Sequence, residues 1–102
     1  MPALRSADMR KPDSINRPLM GALGRRIRAA REAIEPSPSV FADAHDFDRN
    51  FWGRAERGQQ NVTISTLAKI AAALGTSLGA LVDGLEEDVE RDGADAAPGD
   101  AG

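Results

Sequence analysis

Two short helix patterns separated by a tight break occupy residues 37–58, and this spacing constrains the fold more than any other feature. Ser37 is followed by proline at the first position of a predicted helix, where the missing N–H carries no cost. After a polar break that begins near Ala44, Asp48 is the next capping residue, and Gly58 lies where a helix closes. Two helices joined by a turn of about three or four residues form a helix-turn-helix.

Amphipathic patterns predict three further helices around this unit. In the first, from about Leu19 to Ile34, apolar residues recur at spacings of 4, 3 and 4 and mark one helical face. The fourth begins after a cap at Thr63, and the fifth begins at Thr76 or Ser77. We expect the apolar faces of these helices and of the second to form the core: Leu23, Ile27, Ala30, Ile34, Val40, Phe41, Ala44, Ile64, Leu67, Ile70, Ala71, Leu74, Leu78, Leu81 and Val82. The predicted fold class is therefore all-α, with five helices around one compact core.

The net charge of −3 is distributed unevenly along the chain. Residues 86–102 hold seven acidic residues and one arginine, a net charge of −6, and they lack any hydrophobic period. Residues 1–18 mix three prolines with charged residues and also lack a period. These compositions predict a flexible N-terminal arm at 1–18, one folded domain at 19–85 and a disordered acidic tail at 86–102.

Composition excludes several classes of function. The chain has no cysteine and one histidine, so neither a disulfide framework nor a His/Cys metal cluster is expected. It also lacks a phosphate-binding glycine loop and a carboxylate pair in an apolar pattern, so we expect no enzyme, no cofactor and no small-molecule substrate. No signal-peptide pattern and no apolar run of about 18 residues is present, which predicts a cytoplasmic protein without a membrane partner.

The second helix of a helix-turn-helix fits the major groove of double-stranded DNA. In the helix predicted at 48–57, the first turns hold Arg49 and Asn50, and Arg54 follows Asn50 by four residues on the same face. Arginine pairs with guanine O6 and N7, asparagine pairs with adenine N6 and N7, and each pair discriminates by about 1–3 kcal/mol. We therefore expect these three side chains to read base edges. The acidic tail explains the low pI and does not exclude a DNA-binding surface on the domain.

The motifs, taken in order, resemble the Xre/Cro-repressor family of helix-turn-helix regulators over about residues 19–85. The resembling segments are LGRRIRAAR (23–31), SPSVFA (37–42), ERG (56–58) and LAKIAAALG (67–75). The resemblance implies a lambda-repressor-like domain of five helices that binds double-stranded operator DNA as a homodimer. It also implies a nucleoid-associated transcriptional regulator of bacterial or phage type, and we expect a repressor.

The resemblance further assigns roles to residues outside the reading helix. Polar residues at the two loop positions that flank the groove in this family are expected to contact DNA phosphates: Ser37, Gln59, Gln60 and Asn61. In the same family an arginine of the first helix pairs with the glutamate before the Arg-Gly turn. Here these residues are Arg31 and Glu56, and the pair would tie the first helix to the reading helix.

Three departures from the family pattern keep a second interpretation open. Pro38 replaces a DNA-contacting glutamine, Asp46 replaces a turn glycine, and Ala55 replaces a large aliphatic residue whose space Trp52 could fill. These changes would suit a degenerate helix-turn-helix that binds protein, such as an antitoxin or an accessory factor. Arg49, Asn50 and Arg54, here named the reading set, favour DNA instead.

Overall fold

The computed structural model describes residues 15–91, and all regular structure in this range is helical. The five helices are α1 (Arg17–Glu32), α2 (Pro38–Ala44), α3 (Arg49–Glu56), α4 (Ile64–Ala73) and α5 (Leu78–Val82). A further helical stretch follows at residues 85–91, here named the C-terminal segment. The predicted all-α fold of five helices is confirmed. Within the described range no single helix is long and apolar enough to cross a membrane. One pair of helical stretches, α4 and Leu78–Arg91, meets that criterion when taken together, by length and composition only, and the pair is bent by 103°.

Each helix begins after a polar side chain that accepts a hydrogen bond from the backbone N–H three residues later. This satisfies one of the donors that the first turn of a helix leaves without a partner. The caps are Asn16, Ser37, Asp48, Thr63 and Ser77. The sequence predicted the caps of α2, α3 and α4, and it left Thr76 and Ser77 open for α5. Asn16 was not predicted, and it starts α1 two residues earlier than expected.

Helical residues extend into both of the segments that flank the predicted domain. Residues 17 and 18, predicted as part of the arm, form the first turn of α1, with Pro18 at a position that tolerates proline. Residues 86–91, predicted as part of the tail, are helical because Leu85 is buried in the core and Asp88 bonds to α1. The rest of the predicted arm and tail, residues 1–14 and 92–102, lies outside the described residues.

Four helices each contribute one large side chain to the centre of the core. Ile27 of α1, Phe41 of α2, Trp52 of α3 and Ile70 of α4 are the largest side chains that are fully buried. The rings of Phe41 and Trp52 lie 5.0 Å apart and tilted, an arrangement that aromatic pairs favour. Leu81 from α5 is buried beside them in the same cluster. Complete burial of one such side chain stabilises the fold by about 1.5–3 kcal/mol.

Four positions expected in the core lie at the surface, and for these the prediction was wrong. Ile34 follows the end of α1 and is 54% exposed, while Ile64 is the first residue of α4 and is 71% exposed. Val40 is 53% exposed and Ala44 is exposed, since α2 is only seven residues long and turns Phe41 and Ala42 inward. Ile34 lies past the end of its helix, whereas Val40, Ala44 and Ile64 lie within theirs but on the side that faces solvent.

The backbones of α1 and α3 approach so closely that no side chain fits at two glycines. A methyl group on Gly24 would lie 2.5 Å from the carbonyl oxygen of Glu56 and 2.6 Å from that of Ala55. At Gly58, which has a φ of 73°, a methyl group would lie 2.7 Å from the Cα atom of Gly21. These approaches fix the position of α3 on α1.

Candidate nucleic-acid interface

A buried ion pair holds the inner side of α3 against α1. Arg31 donates from Nε and Nη2 to the two carboxylate oxygens of Glu56, both at 2.9 Å. The two side chains are only 3% and 8% exposed, and the bond to Glu56 raises the pKa of Arg31. The geometry is the bidentate one that arginine and carboxylate favour, so the pair sets the orientation of the two helices.

Further hydrogen bonds complete this buried group. The Nη1 atom of Arg31 donates to the carbonyl oxygens of Glu35 and Pro36, at 3.0 and 2.8 Å. The indole N–H of Trp52 donates to Glu56 at 2.6 Å. We refer to Arg31, Trp52 and Glu56 as the clasp. Among the described residues, every buried side-chain nitrogen and oxygen has a hydrogen-bond partner, as a stable buried polar group requires.

The outer side of α3 is polar and exposed. Arg49, Asn50 and Arg54, the predicted reading set, are all exposed, whereas Trp52 and Ala55 of the same helix are buried. The helix therefore keeps the predicted reading set on the side that is open to solvent.

A surface ion pair that the sequence did not predict engages Arg49. Its Nε and Nη2 atoms donate to the two carboxylate oxygens of Asp43 in α2, at 3.1 and 2.6 Å. The side chains of Arg49 and Asp43 are 64% and 52% exposed. The hydrogen bond lowers the pKa of Asp43 and raises that of Arg49. The two residues are six positions apart, and the turn between α2 and α3 brings them together.

The turn itself uses an aspartate where the family has glycine. Asp46 has a φ of 63°, and it is the one residue other than glycine with a positive φ in the described range. Aspartate tolerates this left-handed conformation better than most residues do. His45 packs its ring 4.3 Å from that of Phe41, so this histidine is a turn residue in contact with the core.

Two glutamines hold arginines at the C-terminal end of α3. Gln60 accepts from Nε of Arg54 at 3.0 Å, and Gln59 accepts from Nε of Arg57 at 3.2 Å. The structure thus brings Arg54 together with Gln60, and Arg57 together with Gln59, the two glutamines that were predicted to bind phosphate. Asn61 is exposed in the same loop. The sequence analysis did not include Arg57 in this group. Its spacing of four residues from Gly53 places the two on the same face of α3 and could have indicated it.

Gly53 leaves room for the side chain of Arg57 on the surface of α3. A methyl group on Gly53 would lie 3.1 Å from Nη1 of Arg57. Ser37, the remaining predicted phosphate contact, lies at the other end of the unit. Its hydroxyl accepts from the N–H of Val40 at 3.2 Å, and its own N–H donates to Glu35 at 2.8 Å.

The departures that favoured a protein-binding module are compatible with an intact helix-turn-helix. Pro38 begins α2, and Asp46 adopts the conformation that the turn needs. Ala55 is buried where the carbonyl groups of α3 approach Gly24, and Trp52 of the same helix is fully buried. The fold therefore accommodates each of these changes.

Comparisons with known proteins agree with this architecture. A family profile described as Helix-turn-helix domain matches residues 22–85, which extend from α1 to the start of the C-terminal segment. The chain is similar to Control protein C.MunI from Mycoplasma sp, with 33% identity over 66 residues that cover 64% of this chain and 89% of that protein. No solved structure matches the chain significantly. The chain belongs to the helix-turn-helix family of Xre type and is a DNA-binding transcriptional regulator.

Proposed function

We propose that the protein regulates transcription by placing α3 in the major groove of an operator. The observation that supports this proposal is the division of α3 into two sides. The clasp and the close approach of Gly24 hold the inner side, while Arg49, Asn50 and Arg54 are exposed on the outer side. A recognition helix in this setting offers side chains to base edges without further rearrangement.

Residues at the two ends of the unit would position α3 by contacting phosphates. Because Gln59 and Gln60 use their amide oxygens on Arg57 and Arg54, their amide N–H groups stay available for phosphate oxygens. The loop residue Asn61 and the hydroxyl of Ser37 would add further contacts. Such contacts fix the register of the protein on the duplex and carry no sequence information.

The active form is proposed to be a homodimer that pairs through α5. Leu78 and Val82 of this helix are half-buried, whereas Leu81 and Leu85 are used in the core of the single chain. Of these four apolar residues, two are therefore occupied within one copy and two remain partly exposed for pairing, so we expect weak association. Two-fold pairing would place the reading helices about 34 Å apart, one turn of DNA.

The regulatory role is proposed to be repression at the bacterial or phage nucleoid in the cytoplasm. The similar protein from Mycoplasma sp carries the name control protein, and we extend a controlling role to this chain. Bound over a promoter, a dimer with two inserted helices would exclude other proteins from the same groove.

Selection of duplexes from a randomised pool, followed by titration, tests the proposal. We expect a palindromic consensus for the wild-type protein. Asn50→Ala and Arg54→Ala should lose sequence preference, by about 1–3 kcal/mol per lost base pair contact. Gln59→Ala and Gln60→Ala should lower affinity about equally for selected and scrambled duplexes. If the Asn50 and Arg54 variants keep both affinity and preference, α3 is not the reading helix, and the protein-binding interpretation takes the lead.

A further inference from the structure

The ion pair between Asp43 and Arg49 leaves one particular edge of the guanidinium open. Arginine has five N–H donors in a planar fork. The carboxylate of Asp43 takes the edge formed by Nε and Nη2, at 3.1 and 2.6 Å. The donors that remain are the two on Nη1 and the second one on Nη2. One N–H of Nη1 and the second N–H of Nη2 point in the same direction from the end of the side chain, and these two form the free edge.

We propose that Asp43 is a specificity-determining residue that positions Arg49 to read guanine. This inference rests on the proposed role of α3 as the reading helix. In the major groove, guanine is the base that presents two acceptors side by side, O6 and N7. Adenine pairs an acceptor with a donor, thymine presents O4 and a methyl group, and cytosine presents a donor. The free end of the Arg49 fork therefore matches guanine and no other base.

The carboxylate also makes Arg49 less able to bind phosphate. An arginine that is paired with Asp43 has its charge balanced locally, and the carboxylate repels the DNA backbone. Arg54 provides the contrast within the same helix, because its partner Gln60 is neutral and binds Nε alone. The two arginines of α3 should therefore differ, with Arg49 contributing more to sequence preference and less to non-specific affinity.

Asp43→Asn in the full chain tests this inference, with Asp46→Asn as the matched control. Both variants remove one exposed negative charge from the same part of the surface. Among residues 15–91 no arginine forms an ion pair with Asp46. Asparagine also tolerates the positive φ of this position. Selection from a randomised duplex pool would identify the guanine that Arg49→Ala no longer selects. Each protein is then titrated against the selected duplex, a duplex with that guanine replaced and a scrambled duplex.

We expect Asp43→Asn to reduce the discrimination for that guanine by at least about fivefold. It should also bind the scrambled duplex more tightly than Asp46→Asn does. Its plot of log K against log salt should steepen by up to about 0.9, because the released Arg49 gains a phosphate. The thermal midpoint should stay near the wild-type value, since exposed ion pairs add little stability.

The outcomes separate this inference from the proposed function. If the wild-type protein selects a consensus and Asp43→Asn keeps the full guanine preference, the role of Asp43 is overturned while α3 remains the reading helix. Identical behaviour of Asp43→Asn and Asp46→Asn would likewise overturn it, because the effect would then be charge alone. If the wild-type protein selects no consensus, the proposed function itself fails.

Discussion

At the scale of single residues, Arg31 connects α1 to two other parts of the fold. It bonds to Glu56 of α3 and to two carbonyl groups of the chain that follows α1. Arg31→Ala would leave the Glu56 carboxylate buried with Trp52 as its remaining hydrogen-bond donor. Breaking a buried pair in this way costs about 3–5 kcal/mol, and urea denaturation should show this loss in the free energy of unfolding.

Arg28→Ala is the matched control for Arg31→Ala. Arg28 lies in the same helix and also forms an ion pair, with Glu32 at 3.0 Å, but both partners are exposed. Exposed pairs of this spacing contribute about 0.3–0.5 kcal/mol. Equal losses in the two variants would show that burial of the clasp is not what makes Arg31 important.

A second prediction at this scale concerns the glycine at the crossing of α1 and α3. Gly24→Ala places a methyl group against the carbonyl groups of Ala55 and Glu56, and these backbone atoms move only if α3 moves. We expect a loss of about 1–3 kcal/mol or more, measured by thermal or urea unfolding. Displacement of α3 should also weaken DNA binding in conditions where the variant stays folded.

Gly79→Ala is the control for this substitution. Gly79 lies within α5, and a methyl group there would meet no atom within 4 Å. Alanine is the better helix residue by about 0.8–1 kcal/mol, so this variant should be as stable as the wild-type protein or more so. The geometry of the helix crossing would be contradicted if Gly79→Ala lost stability while Gly24→Ala kept the stability of the wild-type protein.

At the scale of elements, the C-terminal segment depends on an ion pair with α1. Asp88 accepts from Nε of Arg26 at 2.7 Å, and Arg26 also donates to the carbonyl oxygen of Leu81 at 2.9 Å. The bond to Arg26 holds the pKa of Asp88 below its ordinary value of 3.8. A carboxyl group with a lowered pKa stabilises the folded form above that ordinary value, and its contribution is lost as the pH falls through the lowered pKa.

We therefore expect residues 85–91 to lose protection from hydrogen exchange on acidification before the rest of the domain does. Exchange measured by mass spectrometry from pH 6 downwards, with correction for the intrinsic rate, would record it. Asp88→Asn should show the reduced protection already at neutral pH and should remove the pH dependence of this segment. If the protection of residues 85–91 falls with pH in the same way in the wild-type protein and in Asp88→Asn, the ion pair does not hold the segment.

How far an element could be predicted from the sequence depends on where its signals lie. The caps Ser37, Asp48 and Thr63 act on the three residues that follow them, so local sequence located α2, α3 and α4. The contact that joins residues 85–91 to α1 is made by Arg26, which lies 62 positions before its partner Asp88. The sequence of residues 86–102 is acidic and has no hydrophobic period, so it did not indicate that contact.

The candidate site divides in the same way. Exposure of Arg49, Asn50 and Arg54 followed from the position of the cap at Asp48. The partner of Arg49 could not be predicted, because the direction of the Asp43 side chain depends on the turn at Asp46. The roles of these residues toward DNA remain predictions.

At the scale of the whole molecule, charge is divided between a domain that is nearly neutral and an acidic end. Residues 92–102 hold three aspartates and no basic residue. We predict that this stretch competes with DNA for the basic side of α3, so a chain that ends at Arg91 should bind non-specific duplex more tightly. The gain should be largest near 0.01 M salt, where the Debye length is about 30 Å.

The truncation leaves the C-terminal segment in place, so the free energy of unfolding should change little. A second chain in which the three aspartates become asparagines keeps the length and removes the charge, and it should bind as tightly as the truncated chain. If both altered chains bind non-specific duplex with the affinity of the wild-type protein at every salt concentration, competition by the tail is refuted.

The clasp has an optical consequence. Trp52 is the single tryptophan of a chain that has no tyrosine, and it is fully buried on the inner side of α3. The indole emission of this protein therefore comes from one side chain, whose N–H bonds to Glu56 in a site closed to water. Separation of α3 from α1 would move that emission to longer wavelength and open it to soluble quenchers. A duplex bound on the outer side would leave the indole shielded, so the protein carries its own fluorophore for telling a displaced helix from an occupied one.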